Sequence, residues 1–313
     1  MLPSSLTKDL VIAAEPVVAR VLRHGGVRTS KPTGEVSAVR TMTLDGFDEI
    51  ATAWSPILGS QGYRINLQAV FCHSRPHVAF APIPHPNYPG GTTLRRCELA
   101  DLLIVVDYID PISRVEERRA VLVQAKILKG GAVTPSGQEW VQHELLAWLP
   151  VFTFVDSSYD PRSRDLSANS MVNSPNHTAE YGGIDLKSSP PKWQQELTLT
   201  TLPWFHSPVS LAEFMAGMAT GKCGYGRPAD RGGRDDWSFT VDELLRVTAT
   251  LPITKKTGIA RGNDNVVGLI VDTSLLESTG GGGDYIYGDI LEWPEGPIST
   301  IHVRLRSIED LDE

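Results

Sequence analysis

The feature that most constrains the fold of this chain is a pair of apolar runs joined by a short charged segment. Residues 102–106 (LLIVV) and 120–123 (AVLV) have the composition of buried strands. The charged, proline-containing link between them is too short for a crossover helix with its loops. An antiparallel hairpin is therefore predicted, in which the start of the first strand lies beside the end of the second.

Polar residues mark the place where these two strand ends meet. Asp101 precedes the first run, and Gln124, Ala125 and Lys126 follow the second. Successive side chains of a strand point to opposite faces, so Gln124 and Lys126 share one face. We expect a carboxylate, an amide and an ammonium group to converge at one edge of the hairpin.

These groups suit a hydrolytic metal site. A hard cation such as Mg²⁺, or alternatively Mn²⁺, takes oxygen ligands, which Asp101, Gln124 and the backbone carbonyl of Ala125 can supply together with water and phosphate. Lys126 could hold or polarise the attacking water. The competing interpretation is a solvated lysine beside a glutamine without a role. Asp101 at the facing strand end favours a site, because unpaired polar groups near a sheet core are costly.

Asp101 with Gln124-Ala125-Lys126 resembles the PD-(D/E)xK nuclease superfamily, in the variant where Gln replaces the second acid, as in Mrr-like restriction endonucleases and prokaryotic antiphage effector nucleases. The resemblance covers about residues 45–149, and it departs from the named pattern at Ala100, where a proline would stand. It implies an α/β fold with a restriction-endonuclease-like mixed sheet flanked by helices. It also implies an Mg²⁺-dependent DNA endonuclease acting on double-stranded DNA in antiphage defence or restriction.

Further candidate site residues flank this set. Glu98 lies three residues before Asp101 and would face the opposite side of a regular strand, so it is a second-choice ligand. The superfamily often takes another acid from the helix before the sheet, for which Glu49 is the nearest candidate and Glu15 the next. Either glutamate could instead be a solvated helix residue. Gln142 resembles the site-facing glutamine of some nuclease branches.

The chain divides by composition into three parts. Residues 1–155 form the predicted nuclease-like domain, with helices near 8–23 and 45–58. Residues 156–183 are a connector rich in Ser, Asn and Asp. Residues 184–313 form a predicted C-terminal α+β extension for partner contact or regulation.

Charge, cysteine content and hydropathy bear on the partners of the protein, its cellular compartment and its association with membranes. The net charge of −8 argues against a dedicated high-affinity nucleic-acid binder, so we expect a homo-oligomer or a partner subunit to assist DNA binding. Three cysteines without CxxC spacing suit a reducing cytoplasm and are predicted to be buried thiols. Without a long apolar run, no membrane association is expected.

Two other functions stay open on the sequence. The chain could be a noncatalytic nuclease-fold subunit of a defence or repair assembly, which metal-dependent cleavage by the pure protein would exclude. It could also be a nuclease directed at RNA, which would cleave RNA and leave DNA intact.

Overall fold

The computed structural model describes residues 1–72, 75–84, 91–109, 115–133, 135–167, 177–196, 208–249, 267–272, 286–289 and 297–308. The helices in these ranges are α1 (Thr7–His24), α2 (Glu35–Thr41), α3 (Phe47–Gly59), α4 (Gln138–Trp148), α5 (Leu211–Ala219) and α6 (Asp236–Ala249). The strands are β1 (Tyr63–Val70), β2 (His77–Phe80), β3 (Arg95–Glu98), β4 (Leu102–Ile109), β5 (Val115–Ile127), β6 (Phe152–Phe154), β7 (Ala179–Asp185), β8 (Lys192–Glu196), β9 (Val209–Ser210), β10 (Arg227–Pro228), β11 (Val267–Asp272), β12 (Ile286–Asp289) and β13 (Thr300–Ser307).

Most of the described strands form one mixed sheet. Its order is β12-β11-β1-β13-β4-β5-β7-β8-β9, and β10 pairs with β5. The pairings β13–β4 and β5–β7 are parallel, whereas β4–β5 is antiparallel. A second sheet has the order β3-β2-β6.

Two apolar clusters place these elements in layers. One face of the large sheet packs against α1, α3 and α5, with Val121, Val123 and Ala125 of β5 pointing into that cluster. The other face packs against α4, α6 and the second sheet, with Ala120 and Leu122 pointing into it. Strands buried on both faces explain the uninterrupted apolar runs in the sequence. The fold is therefore a mixed α/β sheet flanked by helices.

The predicted hairpin is confirmed. Leu102 pairs with Val123 at one end of the β4–β5 ladder, and Asp107 pairs with Arg118 towards the other. Residues 124–127 of β5 extend beyond β4 and continue to pair with β7. The end of β5 therefore projects past the start of β4, where Asp101 lies.

Other sequence expectations met mixed outcomes. The sequence also predicts that the first helix kinks or restarts at Pro16; it does not restart, because α1 continues through that residue. Alternating residues within 63–80 further predict a strand, a turn at 74–76 and a second strand. Both strands exist, but β1 and β2 belong to different sheets, and the turn lies partly outside the described residues. Cys72 and Cys97 are buried as predicted, whereas Cys223 is exposed.

The C-terminal half contributes to the same sheet as the N-terminal half. Strand β13 lies between β1 and β4, and β7 lies against β5. These pairings cross the boundaries predicted at residues 155 and 183, while a separate role for residues 184–313 stays a prediction. Within the described ranges, no helix has the length and apolar composition needed to cross a membrane.

Candidate active site

Asp101 lies where β4 begins, against the end of β5. Its backbone NH donates to the carbonyl of Val123 over 3.1 Å, and its Oδ2 accepts from the NH of Ala125 over 2.8 Å. The same oxygen accepts a short hydrogen bond from Nε2 of Gln124. The β5 overhang thus holds the carboxylate from two directions, as the hairpin register predicts.

Gln124 is fully buried, and its Oε1 has no hydrogen-bond partner among the described residues. Leaving a buried amide oxygen without a donor or cation costs about 1–3 kcal/mol. A 180° rotation of the amide exchanges its two ends and would place the oxygen beside Oδ2 of Asp101. In that rotated orientation the two oxygens would need a shared proton or cation between them.

The carbonyl of Ala125 faces the same side. A strand residue directs its NH and its CO towards the same neighbour, and the NH of Ala125 points to Asp101. The side chain of Ala125 is buried in the opposite apolar cluster. One carboxylate, one amide and one backbone carbonyl therefore lie at one edge, and their role as metal ligands stays a prediction.

Lys126 is 7% exposed and lies among carboxylates. Its Nζ donates to Oε1 of Glu35 over 2.9 Å and lies 3.7 Å from Oε1 of Glu139. Glu35 is the first residue of α2, and Glu139 lies in the first turn of α4. Two helices thus bring acidic residues to the lysine that the sequence singles out.

A network around Asp45 positions Glu35. Oδ1 of the buried Asp45 accepts from the backbone NH of Arg28 over 3.0 Å, and its Oδ2 accepts from Oγ1 of Thr29 over 2.6 Å. A side chain at position 26 would collide with the Asp45 carboxylate. Because Gly26 has no side chain, its backbone can lie close to that carboxylate. Oγ of Ser37 accepts from the NH of Gly34 over 2.9 Å and fixes the entry to α2.

Burial and neighbouring charges set the ionisation of the two central groups. Burial raises the pKa of Asp101 to about 7, against the opposing effect of Lys126 and of the hydrogen bonds from Ala125 and Gln124. For Lys126 burial works against the charged form, but the carboxylates of Asp101 and Glu35 outweigh it and raise the pKa. Lys126 is therefore a cation at neutral pH and donates protons in hydrogen bonds rather than accepting them.

The other predicted acids lie elsewhere. Glu98 ends β3 in the second sheet, where it pairs with His77. Glu49 forms an ion pair with Arg20 across α3 and α1. Glu15 is exposed on α1. Among the described residues, the helix-borne carboxylate in contact with Lys126 before the sheet is Glu35, which the sequence analysis missed because α2 is short and lacks a long apolar periodicity.

The donor chemistry fits a hard divalent cation. Asp101, Gln124 and Ala125 offer oxygen atoms only, which Mg²⁺ and Mn²⁺ prefer. Within the described part of the chain, no group of three or more His, Cys, Asp or Glu side chains is arranged to hold a metal, so the amide and the backbone carbonyl are needed to complete the set.

Comparison of the chain with protein-family profiles, with curated proteins and with solved structures gave no match.

Proposed function

We propose that the protein is an Mg²⁺-dependent endonuclease that hydrolyses phosphodiester bonds of double-stranded DNA at the end of β5. The observation that carries the proposal is the buried Gln124 amide: its Nε2 contacts the Asp101 carboxylate, its Oε1 has no hydrogen-bond partner among the described residues, and Lys126 lies on the same strand face. A buried amide oxygen without a donor is costly, and a bound cation would satisfy it.

Local charge supports a bound cation. The site has three carboxyl groups and one ammonium group, namely those of Asp101, Glu35, Glu139 and Lys126. A DNA phosphate approaching these carboxylates would be repelled without a compensating charge. When bound to Asp101, Gln124 and the Ala125 carbonyl, Mg²⁺ would neutralise the site and stabilise the charge that develops on the phosphate.

Lys126 and Glu35 have different roles in this proposal, one as a hydrogen-bond donor to water or phosphate and the other as a proton acceptor. Lys126 has three N–H donors, so it can bind a phosphate oxygen or the attacking water while it keeps Glu35 as a partner. Glu35 is partly exposed and can accept the proton that the water loses. In this assignment Glu35 takes the place that the resemblance suggested for Glu49.

Cleavage of closed circular plasmid by the pure protein tests the proposal. We expect nicked and linear products with Mg²⁺ or Mn²⁺ and none with a chelator. Single-stranded and duplex RNA of similar length, incubated in parallel, should stay intact. Degradation of RNA alone would replace the substrate, and inert DNA under all conditions would favour the noncatalytic subunit of a larger assembly.

The proposed setting follows from the activity. A DNA-cleaving protein with thiol cysteines suits the cytoplasm of a prokaryotic cell, where it would act in defence or restriction. Its acidic surface makes self-association or a partner subunit part of the proposal.

A further inference from the structure

A second polar site lies at the other end of the β4–β5 hairpin. A cavity of about 630 Å³ opens between the large sheet and α6, within the range of small-molecule sites. Asp107 lines it, six positions along β4 from Asp101, which corresponds to about 20 Å. The cavity is thus separate from the candidate active site.

The floor of this cavity is a buried, internally paired network. Arg118 donates from Nε to Oδ1 of Asp107 over 2.6 Å and from Nη2 to Oδ2 over 3.0 Å, and its Nη1 donates to Oδ1 of Asp242 over 2.5 Å. His302 contacts Oδ2 of Asp107 through Nε2 at 2.8 Å. These groups satisfy one another, so they form a rigid base.

The protonation of His302 follows from that base. Burial opposes the ionisation of Asp107, but hydrogen bonds from His302 and Arg118 outweigh it and hold the pKa near 2. An ionised carboxylate only accepts, so Nε2 of His302 carries its proton. Burial lowers the pKa of His302 itself, which leaves a neutral ring whose Nδ1 accepts a hydrogen bond. Because His302 lines the cavity, its Nδ1 is the ring atom that can accept from a hydroxyl or amino group of a ligand.

The cavity lining is positively charged overall, because its arginines (Arg118, Arg231, Arg246 and Arg304) outnumber its carboxylates (Asp107 and Asp242). Arg304 donates to the neutral Oε1 of Gln68 over 3.0 Å, and neither Arg304 nor Arg231 has a carboxylate partner among the described residues. Arg246 at the rim is paired with Glu243 at 3.4 Å. Two guanidinium groups thus remain for a ligand in a protein of net charge −8.

The walls also have an apolar part. Val70, Ile109 and Leu245 line the cavity beside the charged groups. A bare inorganic ion would leave this surface wet, whereas an organic group would cover it. A concave site with a few convergent cations attracts small anions more than an extended polyanion.

We propose that this cavity binds a small organic phosphate of about mononucleotide size. Its phosphate is held by Arg304 and Arg231, whose planar guanidinium groups match phosphate oxygens. A ligand hydroxyl or amino group donates to Nδ1 of His302, and the organic part covers Val70, Ile109 and Leu245. This site does not depend on the proposed nuclease activity.

Isothermal titration of the full chain without DNA tests the proposal. The probes are AMP, ribose 5-phosphate and inorganic phosphate, with adenosine and ribose as controls without phosphate. We expect AMP or ribose 5-phosphate to bind with a Kd below about 1 mM and at least about tenfold more tightly than its control. The variants Arg304→Gln and Arg231→Gln should each weaken binding about tenfold, whereas Arg23→Gln, an exposed substitution on α1, should not.

Several results would overturn this inference. They are no binding of either organic phosphate below the stated limit, equal binding of AMP and adenosine, binding of inorganic phosphate alone, or full affinity in both arginine variants. Thermal melts of each variant verify folding, and because Arg231 is exposed its replacement keeps the test valid if Arg304→Gln is unstable.

Discussion

Asp101 and Lys126 hold their protons very differently, although they lie on adjoining strand ends. Burial raises the pKa of Asp101 to about 7, so near neutral pH its charged and neutral forms are similarly populated. Lys126 keeps its proton because three carboxylates surround it. A divalent cation competes with the proton for Asp101, so metal binding is expected to release protons and to strengthen as pH rises.

The stability of the protein should reflect this ionisation. The folded pKa of Asp101 lies above its ordinary value of 3.8, so the folded state holds the extra proton between these values, and stability falls as pH rises towards about 7. Asp101→Asn removes this dependence. We expect the variant to be more stable than wild type at pH 8 without metal by about 1–3 kcal/mol.

Urea denaturation at pH 5 and pH 8 measures this difference. Addition of Mg²⁺ at pH 8 should stabilise wild type and leave Asp101→Asn unchanged. A variant that is less stable than wild type at pH 8 would show that the ionised carboxylate is stabilising without metal, against the account.

The three candidate helix acids can be ranked by substitution. Glu35→Gln keeps a hydrogen-bond acceptor for Lys126 but removes the charge, and we expect cleavage to slow about 100-fold. Glu49→Gln and Glu15→Gln should cleave like wild type, because Glu49 pairs with Arg20 and Glu15 is exposed. Initial rates of plasmid cleavage measure the effect of each substitution. A larger loss of rate in Glu49→Gln than in Glu35→Gln would reverse the assignment of the helix acid.

Hydrogen bonds outside the short helix α2 set its position and that of Glu35, its first residue. The segment that leads into α2 is held by Asp45, whose Oδ1 accepts a hydrogen bond from the backbone NH of Arg28. Gly25, with φ of 82°, turns the chain out of α1. Helix α2 itself has only seven residues. Its position depends on this anchoring more than on helix propensity.

Loosening the anchor should therefore impair catalysis as well as stability. Thr29→Val removes the hydrogen bond to Asp45 without changing side-chain shape, which costs about 1–2 kcal/mol. Ser210→Ala removes the cap that accepts from the NH of Glu213 and costs about 1 kcal/mol on α5. Denaturation curves and cleavage rates of the folded proteins should show about tenfold slower cleavage for Thr29→Val only. Equal rates in both variants would mean that the anchor does not position Glu35.

Sequence patterns predicted the elements whose residues repeat at a regular spacing. The β4–β5 hairpin, α1 and α3 follow from apolar runs and helical periodicity. The meeting of Asp101 with Gln124 followed from hairpin register alone. Glu35 could not be predicted in this way, because a long-range hydrogen-bond network sets its position.

The pairing of strands that are distant in the chain could not be predicted from the sequence either. Nothing local indicates that β13 inserts between β1 and β4, or that β1 and β2 enter different sheets. The composition of residues 156–183 suggested a connector, yet β7 begins within it and pairs with β5. Pairings between distant segments depend on the whole core, not on the propensity of either strand.

At the scale of the whole molecule, one sheet carries two polar sites of opposite character. The end of β5 gathers carboxylates around Lys126, whereas the cavity near Asp107 gathers guanidinium groups. The total charge of −8 limits the attraction of any polyanion to the surface.

Duplex binding by the isolated chain should therefore be weak. We expect the monomer to bind DNA with a Kd above about 1 µM near 150 mM salt and to bind more tightly after self-association or addition of a partner. Fluorescence anisotropy measures the affinity, with Asp101→Ala, which we expect to prevent cutting, in place of the wild type. Nanomolar binding by the monomer would contradict the need for a second subunit.

The most direct test of the proposed active site is the rate of plasmid cleavage by three proteins under identical Mg²⁺ concentration. Lys126→Ala removes the ammonium group at the site, whereas Lys129→Ala removes an exposed lysine just beyond the same strand. We expect wild type and Lys129→Ala to cut at the same rate, a chelator to stop both, and folded Lys126→Ala to be at least about 100-fold slower. Cleavage by Lys126→Ala at the wild-type rate would contradict the proposed active site.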